Sequence, residues 1–163
     1  MITHSRLLDL LHYDPSTGVF TRRVQRQKYK AGEVAGKIRP EDGYVIIGID
    51  GRSYVAHRLA WLYVYGEWPP NKLDHKNLIK SDNRIENLRH ATQAENTCNA
   101  KKRSSNKSGW KGVHWNKKLK KWSASISFKN KRLYLGSFND VKEAAEAYIF
   151  AALEIHGEYA RFE

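Results

Sequence analysis

Between Asn96 and Asn139 the chain carries no aspartate or glutamate but twelve lysines and arginines, and Trp110, Trp115, Trp122, Phe128 and Tyr134 are interleaved with them. Aromatic side chains at that density need a core to enter, so the stretch folds and is not a tail. A folded face normally mixes both signs of charge. One that is purely cationic calls for a polyanion, and nucleic acid is the expected partner. Twelve of the 29 basic residues fall in this stretch, which leaves 17 against 17 acidic ones elsewhere, so the remainder is formally neutral. With 163 residues there is room for one ordinary domain or two small ones. A single cysteine, Cys98, excludes an internal disulfide and a multi-cysteine zinc site. No apolar run is long enough to span a membrane, and Met1–Asp14 does not read as a secretion signal. A reducing cytoplasm is expected, that of the host cell if the gene belongs to a phage.

The expected class is α+β, in consecutive segments. Residues 1–70 open with a short amphipathic helix capped by Thr3 or Ser5, with Leu7, Leu8 and Leu11 on one face. The Tyr13–Gly18 sequence should end it in a turn. Strands are expected at 19–23, 44–49 and 53–56, with Asp50-Gly51 as a hairpin turn, then a helix over 57–65 that Pro69-Pro70 cannot continue. A compact polar unit follows at 71–102, and a basic linker at 101–109 separates a first domain (1–100) from a second (110–163). The second should be a three-stranded antiparallel sheet on one helix. Its strands are expected at 111–115, 122–128 and 132–135, and the helix runs from Asn139 or Asp140 to Gly157. Alternation puts Trp122, Ala124 and Ile126, with Leu133 and Leu135, toward the helix, and Ser125, Ser127, Arg132 and Tyr134 on the opposite face.

The chemistry is concentrated in residues 73–99. Leu73–His75 and Leu88–Ala91 read as short strands, and Thr92 with Glu95 forms a capping box that starts a helix at Gln93. The resulting strand, loop, strand and helix make a ββα unit rich in side-chain oxygens. Phosphodiester hydrolysis requires a hard divalent cation and a base for the attacking water. Asp74 and Asn96 offer a carboxylate and an amide oxygen to such a cation. His75 titrates near neutrality, and Asn87 can hold the imidazole or the loop. Each of these residues also has a purely structural reading, since asparagines favour turns and an Asp-His pair need not react. His57 reads as a residue that starts and packs a helix, His90 as facing DNA or solvent, and His12 as a helix-end residue.

An ordered set of short motifs adds to this reading: Ala56-His-Arg-Leu-Ala-Trp61, Gly66-Glu-Trp-Pro69, Asp74-His75, Asp82-Asn83, Glu86-Asn-Leu-Arg89, Ala91-Thr92 and Glu95-Asn96. Together with Tyr13-Asp-Pro and Gly43-Tyr44 upstream, they resemble the HNH endonucleases, most of all the phage and intron-encoded homing type with Asn in place of the last histidine. The resemblance implies that Asp74 and Asn96 bind the metal, that His75 is the general base, that Asn87 orders the loop and that Arg89 meets DNA. It implies Mg2+ (or Mn2+) and no zinc, and a DNA endonuclease of the homing type. One departure is local. The family often has glycine where Leu78 stands, a residue that would suit a positive-φ turn.

Residues 110–163 resemble the APETALA/ethylene-response-factor DNA-binding domain through Lys111-Gly-Val113, Lys121-Trp122, Leu135-Gly-Ser-Phe138, Glu143-Ala-Ala145, Ala147-Tyr148 and Ala151-Ala152. That family lays its sheet in the major groove. The resemblance implies DNA contacts from Lys111, His114, Ser125, Ser127, Arg132 and Tyr134. Two serines stand where the plant proteins have an acid and an arginine, so readout here should rely more on phosphates than on bases. Two rivals follow from the residues: a DNA-binding regulator whose nuclease unit is an inactive remnant, and an RNA-binding protein. No segment calls for an obligate protein partner.

Overall fold

The computed structural model of the chain describes every residue except Gln27, Lys101, Arg103, Asn130 and Glu163. The linker expected at 101–109 therefore lies partly outside the described residues, as does the tip of the turn at 129–131. The chain forms two compact units, Met1–Thr92 and Gln93–Glu163, each with its own apolar core.

In the first unit, helix α1 (His4–Leu10) is capped by Thr3, whose hydroxyl accepts from the Arg6 amide at 3.3 Å. The helix is shorter than its apolar pattern suggested. Leu11 already belongs to strand β1 (Leu11–Asp14), which pairs with β2 (Val19–Arg22) in the register Tyr13↔Phe20. A turn was expected here, and β1 is the correction; His12 likewise sits on this strand and not at a helix end. The turn is confined to the four residues between the strands. Asp14 accepts there from the Ser16 amide and hydroxyl and from the Thr17 hydroxyl, bonds that pull its carboxyl down to about 2.

A second sheet orders β3 (Lys37–Ile38), β4 (Val45–Ile49) and β5 (Arg52–Val55) side by side. Asp50 and Gly51 both take positive φ, 46° and 75°, as the expected tight hairpin requires. Strand β3 is only two residues long, with both side chains exposed, and has no sequence signature. Helix α2 (Ala56–Tyr65) ends at Gly66, left-handed at φ 78°, three residues before the prolines. A third sheet pairs β6 (Lys72–His75) with β7 (Leu88–Ala91). Tyr13, Phe20, Leu59, Leu62, Leu73 and Leu88 share one core, so the β6–β7 hairpin is bolted to the layers before it.

The second unit starts with helix α3 (Gln93–Asn99), at the residue the capping pattern indicates. The antiparallel sheet is β8 (Val113–Asn116), β9 (Lys121–Phe128) and β10 (Lys131–Phe138), with β9 central, and it is followed by helix α4 (Val141–His156). Val113, Ala124 and Ile126 pack on Ala144, Ala145, Tyr148 and Ala152, so small helix residues let the sheet come close. Gly112 shows how close: a Cβ there would stand 2.2 Å from the Tyr148 ring. Leu133 departs from expectation at 39% exposed, whereas Leu135, at the bulge between Tyr134 and Gly136, packs on the core. Among the described residues no helix is long and apolar enough to cross a membrane.

Gly18 joins the β1–β2 turn to the chain at Asn83 and Arg84. It has φ 74°, and a Cβ would lie 2.4 Å from the Arg84 nitrogen and 2.6 Å from the Asn83 carbonyl carbon. Neither atom can swing aside, because both are backbone. Gly18→Ala is expected to lower stability by at least about 2 kcal/mol, combining left-handed strain with a backbone clash, and urea denaturation monitored by tryptophan fluorescence reads it.

Candidate active site and nucleic-acid surface

The β6–β7 hairpin presents Asp74 and His75 on consecutive residues, opposite Arg89 and Leu88. Asp74 and Arg89 form an ion pair inside the protein, with Nε and Nη2 both 2.9 Å from Oδ2 and side chains only 8% and 10% exposed. Cross-strand neighbours place the two groups face to face. The guanidinium also compensates the desolvated carboxylate, which would otherwise be costly. Arg89, expected at the DNA surface, is committed to Asp74 in this arrangement.

The loop joining the strands is held by its own amides. Asn87 Nδ2 donates to the Asp82 carbonyl (2.8 Å) and to Asn77 Oδ1 (3.0 Å), while Asn87 Oδ1 accepts from the Asn77 amide (3.1 Å). Asn77 Nδ2 donates to Asp82 Oδ2 (2.6 Å), and Arg84 engages the same carboxylate from the other side with Nε and Nη2. Chiefly through Arg84, Asp82 is held down at about 2 and stays ionised. Asn87 thus has only one of its two imaginable duties among these bonds: it holds the loop. Leu78 takes φ 62°, the conformation for which glycine is suited.

His75 is 4% exposed, and burial pushes its pKa below the ordinary value, with the Asn83 side chain and then Asp74 pulling the other way. Its ring meets His57 at 5.0 Å between centroids, edge to face, and Tyr44 at 5.9 Å. His57 lies on the first turn of α2 and is itself kept neutral by burial, its pKa lowered to about 3. Tyr44, His57 and Asn83 were not recognised from sequence as neighbours of His75. All three fall inside quoted motifs, but a motif does not say which of its residues meet. His90 is half-buried and packs edge to face on the Trp61 ring at 4.1 Å between centroids. Asn83 is fixed in turn by its carbonyl, which accepts from the buried Tyr13 hydroxyl at 2.7 Å.

In the second unit Asn96 lies on α3. Lys111 places Nζ among main-chain oxygens at the end of that helix. On the sheet face away from α4, Ser125 is 7% exposed and accepts from Arg132 Nε at 2.8 Å, so the arginine covers it. Tyr134 donates its hydroxyl to Ser137 Oγ at 2.7 Å, and Ser137 shares a hydrogen bond with the buried Ser123. The serines act as a floor on which Arg132 and Tyr134 rest. His114, Ser127, Arg132 and Tyr134 are the exposed members of the expected set.

Asp74 offers a carboxylate oxygen, the donor type that a hard divalent ion takes. Magnesium-type ions keep most of their water and ask for one or two protein oxygens.

A hairpin with adjacent Asp and His, its loop locked by asparagines, and a separate basic sheet on an alanine-rich helix define a nuclease of the ββ-metal class with an appended DNA-binding domain. Family models agree: the HNH endonuclease model matches residues 54–98 and the AP2 domain model residues 108–158. The chain belongs to the HNH endonuclease family and carries an AP2 domain. Protein 3.8 of Escherichia phage T7 is 31% identical over 107 residues, covering 65% of this chain and 88% of that protein. An AP2-like ethylene-responsive transcription factor of Arabidopsis thaliana is 31% identical over 96 residues, 55% of this chain but only 17% of that protein. Among solved structures, one of the HNH homing endonuclease I-HmuI aligns with 90% of this chain and 85% of its own, at 23% identity and a TM-score of 0.44.

Leu78 supplies the test of the loop. Leu78→Gly is expected to raise stability by up to about 1 kcal/mol by removing a left-handed branched residue, with DNA cleavage retained. Denaturation and a plasmid assay on the same preparation check both halves.

Proposed function

We propose that this endonuclease hydrolyses phosphodiester bonds of duplex DNA with one divalent cation and a histidine general base, as a site-preferring enzyme of the homing type. The observation that carries the proposal is the pairing, on consecutive residues of one short strand, of a carboxylate with an imidazole kept neutral by burial. Asp74 and Asn96 would hold the ion, Mg2+ in the first instance and Mn2+ as the substitute. When bound, the ion polarises the scissile phosphate and stabilises the departing 3′-oxygen. His75 takes the proton of the attacking water, a duty that needs a neutral ring at working pH. Arg89 pairs with the Asp74 carboxylate and aims it. Asn87, through Asn77 and Asp82, keeps the loop beside His75 from collapsing into the site.

Affinity is supplied by the second domain. Arg132 and Tyr134 are rigid contacts because serines support them, and His114 and Ser127 flank them on the exposed face of the sheet. Phosphate contacts would come from the lysines of the turns, so affinity should fall steeply with salt. We place the enzyme where duplex DNA is accessible, in the cytoplasm of the cell that harbours it. The motif-bearing residues favour cleavage over the reading of a DNA-binding regulator, since no group the chemistry needs has been replaced by an inert one.

His75→Ala is expected to reduce plasmid nicking in Mg2+ at least 100-fold while duplex affinity, measured in Ca2+, stays within twofold. The wild-type single-turnover rate should be flat through neutral pH and fall in acid, with its inflection below the ordinary histidine value. The sign follows because the protonated ring, which burial disfavours, cannot accept a proton. Binding without cleavage in any divalent metal would instead establish the regulator, and preference for A-form RNA would exclude both.

A further inference from the structure

We infer that Lys111 positions helix α3 and does not contact nucleic acid. Its Nζ donates to the main-chain oxygens of Thr97 (3.3 Å), Cys98 (2.5 Å) and Ala100 (2.9 Å). An ammonium has three N–H groups, and these three carbonyls use all of them, so none is left for a phosphate. The oxygens lie at the C-terminal end of the helix, where Thr97 also accepts from the Ala100 amide (3.3 Å), and a cation there meets the negative end of the helix dipole.

The helix needs such a tie. With seven residues, α3 is too short to persist on its own propensity. A second contact, Cys98 Sγ to His156 Nδ1 at 3.5 Å, anchors the same turn to the end of α4. The direction of the Lys111 side chain is itself fixed. Its amide donates to the Phe162 carbonyl (2.9 Å), and the next residue, Gly112, accepts from the Ser125 amide (3.0 Å) in a place no larger residue fits. By contrast, Lys117, Lys118 and Lys120 lie on the exposed turn before β9, and Lys121 is exposed at its start. The lysine of the Lys-Gly-Val motif has thus been turned from the sheet surface toward the helix that carries Asn96. For its effect on catalysis the inference rests on Asn96 as a metal ligand; the clamp itself rests on the geometry alone.

The test uses the full chain as Lys111→Met, with Lys118→Ala as the control for a surface lysine and Asn96→Ala as the control for the ligand. Three quantities are read: duplex affinity in Ca2+ over a series of salt concentrations, the Mg2+ midpoint of single-turnover nicking, and hydrogen exchange of the amides over 97–100. Lys111→Met is expected to bind duplex within twofold of wild type with an unchanged salt slope, to exchange faster across α3, and to raise the Mg2+ midpoint about tenfold or more. Lys118→Ala should weaken binding and leave the midpoint alone. Loss of affinity with a salt slope reduced by about one, or unchanged exchange across α3, overturns the proposal. So does faster exchange with an unmoved midpoint when Asn96→Ala moves it. If Asn96→Ala itself leaves the midpoint unmoved, the ligand assignment fails, and the exchange data still decide the clamp. Should Lys111→Met not fold, the wild-type protein labelled with 15N-lysine decides. Its Lys111 Nζ resonance stays in place on adding duplex if the clamp holds and shifts if it meets phosphate.

Discussion

Asn87 reaches across the loop between β6 and β7 with both ends of one amide, to Asn77 on one side and Asp82 on the other, and the placement of the reacting groups depends on it. A two-stranded hairpin with so long a connection has little to fix its own register, and the entropy of closing that loop opposes it. Here side-chain amides take the place of a regular turn. They convert the loop into a rigid bracket whose far end, at Asn83 and Arg84, is pressed against Gly18 and bonded to Tyr13. The first hairpin of the chain thereby supports a site whose chemistry lies some sixty residues further along the sequence.

Charge balance in the site is as demanding as its geometry. Asp74 is buried against the guanidinium of Arg89 and His75 beside another histidine, so one strand residue has a charged partner while burial keeps its neighbour neutral. The proposed hydrolysis asks for such a division of labour between an anionic ligand and an uncharged base. On the sheet of the second domain the order is reversed: its charged side chains are basic and exposed, while the Ser125 hydroxyl lies beneath Arg132 and holds it. The DNA affinity proposed for that face is electrostatic and adjustable by salt, whereas in the hairpin it is the packing that matters.

Much of this was legible in the sequence, and the limits have physical causes. Helices α2, α3 and α4 and the three C-terminal strands declared themselves through caps, alternation and the Asp50-Gly51 turn, because those signals are local. Strand β1 did not, since its Asp-Pro-Ser-Thr-Gly continuation outweighed four residues of alternation, and β3 is too short to carry a pattern. The positive φ at Leu78 could be foreseen because a family habit pointed to it. The pairings of Asp74 with Arg89, of His75 with His57 and of Lys111 with the end of α3 could not, as each joins residues whose meeting depends on register or on packing across elements. Charge patterning identified Lys111 as basic without saying that its charge is consumed internally.

The proposed chemistry requires the Asp74 carboxylate to be the anionic ligand of a single catalytic cation. Titration of Mn2+ into the chain bound to an uncleavable phosphorothioate duplex, followed by electron paramagnetic resonance, addresses it directly. One bound Mn2+ per chain is expected in the wild type, with loss of that ion in Asp74→Asn, which preserves shape and removes charge. Equal Mn2+ binding by the two proteins would contradict it.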